Sequence, residues 1–181
     1  FPEEMTVTLK KRYGLRYGEN PHQQAAFYAE QVVGARPGTS ITWAKQLWGK
    51  ALSFNNIMDA DAAWGVVVDL TAPTVAVVKH TNPCGLASHN DITEAYRRAL
   101  SGDPVAAFGG IVACNRKIDL ATAEEINKHF YEIVIAPEYE AKALEVLKRK
   151  KNLRILVAEL PPTYGATPTG YLDFRRVQGG F

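Results

Sequence analysis

The stretch "TVAVVKHTNPCGLASHND", Thr74 to Asp91, decides how this chain is read. Its first part, "TVAVVK", is a continuous apolar and β-branched run with no polar alternation. Such a strand is buried on both faces, which implies a sheet covered by helices on each side. The run stops at Lys79 and His80, after which Asn82-Pro83 and Cys84-Gly85 read as a tight turn. At the end of a buried strand in an open α/β sheet, side chains project into the crevice where ligands bind. A histidine there can act as a general base, and a neighbouring lysine can stabilise developing negative charge or donate a proton. The alternative is a solvent-facing lysine beside a hydrogen-bonded histidine. A rigid turn holding the pair favours the chemical reading.

Outward from this stretch, strands and helices alternate from about residue 54, the pattern of a layered α/β domain. Asn55 or Asn56 is placed to cap a helix with Ile57, Ala60, Trp64, Val67 and Val68 on one face. Asp91 and Glu94 have capping-box spacing ahead of Ile92, Ala95, Tyr96, Ala99 and Leu100, and Ser101-Gly102 stops that helix. "GGIVACN" is a short buried strand, Thr122 and Glu125 open a further helix, and "EIVIAP" is a strand. "EYEAKALEVLKRKK" is an amphipathic helix and "LRILVAEL" a last strand. The loop "PPTYGATPTG" that follows has no periodicity and is expected to be mobile.

The chain has 181 residues, 46% of them hydrophobic and 22% charged, enough to bury a core. A net charge of +2 with interspersed signs argues against a nucleic-acid partner. The one dense basic run, "LKRKKNLR", reads as a solvated helix end. Two cysteines, Cys84 and Cys114, are too few for a disulfide scaffold and point to a reducing, cytoplasmic compartment. No apolar run reaches the roughly 20 residues of a membrane span, and "FPEEMTVTLKKRYG" lacks the order of a signal peptide. The start without methionine and the closing Gly179-Gly180-Phe181 are those expected of a segment of a longer polypeptide.

Further candidates carry weaker signals. In "LRYGENPHQ", Arg16 offers a planar fork of donors suited to a phosphate and Tyr17 a hydroxyl; a self-tied structural loop is the competing reading. Gly109-Gly110 permits close backbone approach to a ligand but lacks phosphate-loop spacing. Gly49-Lys50 precedes a helix N-terminus, an anion neighbourhood or an ordinary loop. Glu132 reads alone as a surface carboxylate. Cys84 invites a nucleophile reading with His80, yet buried cysteine is commonly a small hydrophobe. Pro83-Cys84 has no second thiol after it, so a deaminase-type zinc site is incomplete and no metal is expected.

"LRYGENPHQQAAFY", "GKALSFNNIMDADAAW", "VVKHTNPCGLA", "DPVAAFGGIVACNR" and "IVIAPEYEAKALEVLKRKKNLRIL" occur in this order. Together they resemble the transformylase region of the bifunctional purine-biosynthesis family that joins aminoimidazole carboxamide ribonucleotide (AICAR) transformylase to inosine monophosphate (IMP) cyclohydrolase. The resemblance runs from about Arg12 to Phe181. It implies formyl transfer from 10-formyltetrahydrofolate, as co-substrate, to the 5-amino group of AICAR. It implies catalytic roles for Lys79 and His80, and nucleotide contacts from Arg16, Tyr17, Gly49, Gly109 and, less directly, Glu132. Where the family has histidine or asparagine this chain has Trp48, so that contact is open. The implied fold is an α/β/α sandwich resembling cytidine deaminase, without zinc. The chain corresponds to the first of two such halves, the cyclohydrolase domain and second half being absent. The implied assembly is a homodimer with the active site at its interface, so the isolated chain is expected to turn over poorly or not at all. A non-catalytic nucleotide-binding module is the runner-up reading, and a cysteine hydrolase using Cys84 the third.

Overall fold

A computed structural model of the chain describes residues 3–30, 40–161 and 178. Eight strands and four α-helices are present among the described residues. Two strands, β1 (Leu9–Leu15) and β2 (Ala25–Glu30), pair as an antiparallel hairpin of their own. The other six form one mixed sheet: β3 (Lys45–Trp48), β4 (Thr74–Lys79), β5 (Asn82–Ser88), β6 (Ile111–Cys114), β7 (Ile133–Ala136) and β8 (Arg154–Val157). Their order across the sheet is β3-β8-β7-β6-β4-β5. β6, β7 and β8 run parallel, and β4 runs against β6.

The helices are α1 (Phe54–Val68), α2 (Ile92–Gly102), α3 (Leu120–Asn127) and α4 (Ala141–Lys148). Alternate residues of the central strands feed two apolar clusters. Val75, Val77, Val112, Val134 and Ile155 pack with α2, α3 and α4 on one face. Ala76, Val78, Ile111, Ala113 and Ile135 pack with α1 on the other. β4 is buried at every position but its last, as its uninterrupted apolar run requires.

Several expectations need correction. The tight turn is not at Asn82-Pro83 and Cys84-Gly85: those residues lie in β5, and Lys79 faces Asn82 across a two-residue loop, His80-Thr81. Both loop residues adopt positive φ, 54° and 60°, as primed hairpin turns demand. Pro83 is accommodated because β5 is an edge strand with a register shift opposite Val77/Val78. Gly85 is required by packing: a Cβ there would stand 1.8 Å from the Ala99 carbonyl oxygen of α2.

Ser53, not Asn55 or Asn56, caps α1. Its hydroxyl accepts from the Asn56 N–H while Asn56 Oδ1 accepts from the Ser53 N–H, both at 3.2 Å. Asp119 caps α3, which begins at Leu120, before the expected Thr122. Arg154, taken with a solvated basic run, is buried in β8. Most of the loop "PPTYGATPTG" and the closing Gly179-Gly180-Phe181 fall outside the described residues.

Candidate active site

The register places one end of every strand of the sheet along a common edge. Val78 pairs with Ile111, Ile111 with Ile133, Ile133 with Arg154, and Ile155 with Trp48. Hydrogen bonds continue this row past the strands: the Glu132 N–H donates to the Gly110 carbonyl at 2.9 Å and the Arg154 N–H to the Glu132 carbonyl at 3.0 Å. Lys79, His80, Gly49, Gly109 and Glu132 therefore share one sheet edge. It is the carboxyl end of β4 and β3 but the amino end of the three parallel strands. The crevice rule for parallel sheets thus does not explain the placement; the reversal of β4 does.

Lys79 closes β4 half-buried, and its Nζ donates to the Phe108 carbonyl at 2.9 Å. An ammonium has three donors, so two stay available. His80 is exposed, and its backbone is secured from both sides. The His80 carbonyl accepts from Thr81 Oγ1 and from Asn82 Nδ2, each at 2.7 Å. The Thr81 N–H donates to Asp59 on α1 at 2.7 Å. The imidazole has no hydrogen-bond partner among the described residues. It borders two open cavities. One, of about 360 Å³, is lined by Lys79, Asn82, Cys84 and Asp103 as well. The other, of about 580 Å³, includes Glu19, Asn20, Asn55 and Asp59.

Gly49 and Gly109 both have φ in the left-handed region, +92° and +77°. A Cβ at Gly49 would meet the Leu153 carbonyl oxygen at 2.1 Å, so only glycine fits. Glu132 is not a lone surface carboxylate. It accepts from Arg154 Nη1 at 2.5 Å, while Arg154 Nε donates to the Ala51 carbonyl at 3.0 Å. Arg154 thereby ties the loop after Gly49 to Glu132 across the sheet edge. Trp48 turns towards the end of α4, where its indole N–H donates to the Lys150 carbonyl at 3.2 Å.

Arg16 and Tyr17 stand apart on the connection between β1 and β2. The Arg16 guanidinium lies 5.9 Å from the Tyr17 ring centroid. The loop beyond them is tied by Gly18 N–H to Gln23 O at 2.9 Å and by Asn20 N–H to Gln23 Oε1 at 2.8 Å. It delivers Glu19 and Asn20, but neither Arg16 nor Tyr17, to the cavity beside His80. Cys84 faces the Lys79 cavity half-buried, and burial, reinforced by Asp103, pushes its thiol pKa up. A raised pKa reduces the thiolate fraction on which a cysteine nucleophile depends. Among the described residues no three His, Cys, Asp or Glu are grouped to hold a metal ion, and no helix is long and apolar enough to cross a membrane.

Asp59 and Arg154 were not found by reading the sequence. Asp59 is a half-buried residue on a helix read only for its apolar stripe, and Arg154 hides in a basic run.

A lysine and an unbonded histidine at the end of a buried strand, beside glycines that open the backbone, define a candidate transfer or hydrolysis site on an α/β domain. The family model described as AICARFT/IMPCHase bienzyme matches residues 1–181, and the chain belongs to that family. It is 52% identical over 180 residues to the bifunctional purine biosynthesis protein PurH of Acetivibrio thermocellus, covering 99% of this chain and 34% of that protein. It is 50% identical over 179 residues to PurH of Bacillus cereus, with the same coverages. The chain thus spans about a third of the length of these relatives.

Proposed function

We propose that this chain supplies the first half of a formyltransferase site in purine (IMP) biosynthesis. The reaction moves the formyl group of 10-formyltetrahydrofolate to the 5-amino group of AICAR, giving formyl-AICAR and tetrahydrofolate. The observation that carries the reading is the pairing of Lys79 with the unbonded His80 at one sheet edge, with Gly49, Gly109 and Glu132 along the same edge. In this reading the amine nitrogen attacks the formyl carbon, and the tetrahedral oxyanion collapses by breaking the bond to N10 of the folate. His80 engages the carboxamide and assists removal of the amine proton. Lys79 uses its free N–H groups on the oxyanion and in proton return to N10. The amine is a poor nucleophile because ring and carboxamide withdraw its lone pair, so positioning and an acid–base pair supply much of the acceleration.

Arg16 and Tyr17 hold the nucleotide phosphate, Gly49 and Gly109 approach it by backbone, and Glu132 faces the ribose. The complete protein, cytoplasmic and homodimeric with the site at its interface, also carries the IMP cyclohydrolase. The isolated chain turns over poorly. The test supplies AICAR and 10-formyltetrahydrofolate to the full-length protein and follows tetrahydrofolate release by absorbance. Nucleotide-dependent release that His80→Ala removes, with nucleotide affinity unchanged, supports transfer. No release from a folded dimer that still binds nucleotide leaves the binding module.

A further inference from the structure

The loop that carries His80 stands in a conformation its own residues disfavour. His80 and Thr81 have φ of 54° and 60°, both in the left-handed region. Primed hairpin turns are ordinarily built from asparagine, aspartate and glycine. Threonine suits this one least, because a β-branched side chain at positive φ is an outlier. Residues in such sparsely populated conformations persist only where their surroundings over-determine them.

Three hydrogen bonds do so here. Two are local, from Thr81 Oγ1 and Asn82 Nδ2 to the His80 carbonyl, and they travel with the loop. The third reaches outside it: the Thr81 N–H donates to Asp59 Oδ1 at 2.7 Å, 22 residues earlier in the chain. Among the described residues it is the one hydrogen bond that fastens the loop to a helix. A bond to a carboxylate is roughly twice as strong as one between neutral groups. Its support is fixed, because α1 buries Ile57, Ala60, Ala63, Trp64 and Val67 and closes its first turn with the Ser53–Asn56 box. Asp59 forms no ion pair among the described residues, so no cation draws its carboxylate away from the loop.

Lys79 does not depend on this bond. It is paired with Asn82 in the ladder, and its Nζ is bonded to the Phe108 carbonyl. The His80 ring has no hydrogen bond of its own. The rotamers open to a side chain depend on its backbone φ and ψ, so the loop alone aims the imidazole.

We infer that Asp59 is a positioning residue for His80: its carboxylate, through the Thr81 N–H, holds the loop left-handed and so directs the imidazole. The effect on turnover rests on the formyl-transfer reading; the hold on the loop does not.

The test uses the full-length protein and its Asp59→Ala, Asp59→Asn and Asp59→Ala/Thr81→Gly variants, with circular dichroism to verify folding. Hydrogen exchange in peptides containing residues 79–82, read by mass spectrometry, reports on the loop. Tetrahydrofolate release reports on turnover. In Asp59→Ala exchange is expected to quicken there, and kcat to fall about 10–10²-fold, the loss a small misplacement produces. The nucleotide KM should stay within about twofold, since only the reacting state has lost an interaction. Asp59→Asn keeps an acceptor oxygen and should recover both the exchange and kcat. Glycine adopts the left-handed conformation unaided, so Asp59→Ala/Thr81→Gly should recover kcat without the carboxylate. An Asp59→Asn protein as slow as Asp59→Ala overturns the inference and makes the charge itself the working feature. An unchanged kcat in Asp59→Ala overturns it as well. Absence of release from the wild type sinks the transfer reading alone. Quickened exchange in Asp59→Ala then still upholds the hold on the loop, and unchanged exchange overturns it.

Discussion

The two ends of β4 are built on opposite principles. At the amino end Thr74 is fully buried with its polar atoms engaged. Its N–H donates to Asn115 Oδ1 at 2.8 Å, and its hydroxyl lies 2.9 Å from the Ala72 carbonyl and 2.7 Å from Ser88 Oγ. Asn115 Nδ2 reaches the Val67, Leu70 and Ala72 carbonyls, each at 2.9 Å. At the carboxyl end, five residues on, Lys79 has donors to spare, and the ring of His80 just after it is unbonded. A polar group with every bond satisfied stabilises a fold, whereas chemistry needs groups held in place with bonds left to make. One short strand carries both.

Breaking the open end has the largest expected effect. His80→Ala is expected to lower kcat of the full-length protein by about 10²–10⁴-fold, the usual contribution of an acid–base group. Its denaturation midpoint should stay close to that of the wild type. Breaking the closed end should do the reverse. Asn115→Ala orphans the Thr74 N–H and takes the side-chain donor from the Val67 and Leu70 carbonyls, while the Ala72 carbonyl keeps the Thr74 hydroxyl; urea titration is expected to show a loss of about 3–4 kcal/mol. The folded fraction should retain its kcat.

Arg154→Met tests whether the separation is complete, since this residue is buried yet ties Glu132 to the Gly49 loop. A loss of about 1.5–3 kcal/mol for the charged hydrogen bonds, together with a raised nucleotide Kd by fluorescence titration, would show a residue serving both purposes. Unchanged affinity would confine it to stability. Cys84→Ser, beside Lys79, is expected to keep kcat within about twofold, because a thiol with a raised pKa is a poor nucleophile. A large loss would revive the cysteine reading.

The smallest effect is a pH dependence away from β4. Hydrogen bonds from Arg97 and then Lys128 lower the Glu125 pKa from 4.5 to about 2. A depressed carboxylate stabilises fully above its unfolded pKa, and this support is lost as pH falls through its folded pKa. Melting curves between pH 4.5 and about pH 2 should therefore lose part of their slope in Glu125→Gln.

How much of this could be read beforehand follows from where each bond goes. β4, β6 and β7 were legible because strands buried on both faces are apolar throughout. β1 was not, since it is exposed along nearly its whole length and cationic, with no alternation to detect. The β4–β5 turn was misplaced because Pro83 and Gly85 are the usual punctuation of turns, while histidine and threonine at positive φ carry no such signal. Asn115 was invisible because its partners lie 41 to 48 residues earlier in the chain. At the candidate site the motifs singled out Lys79, His80, Gly49, Gly109 and Glu132. The parts that brace them, Asp59 and Arg154, act through contacts that only the folded chain creates.

The backbone of His80 bears on how the protein changes over generations. At φ 54° an ordinary residue is destabilised by about 1–2 kcal/mol relative to glycine, and asparagine is tolerated better than most. Random substitution judged by thermostability alone would therefore favour His80→Gly or His80→Asn. A lineage that retains histidine there forgoes that stability in every generation. One released from making the reaction should exchange this residue early, and a melting temperature rising as turnover vanishes would be the mark of the exchange.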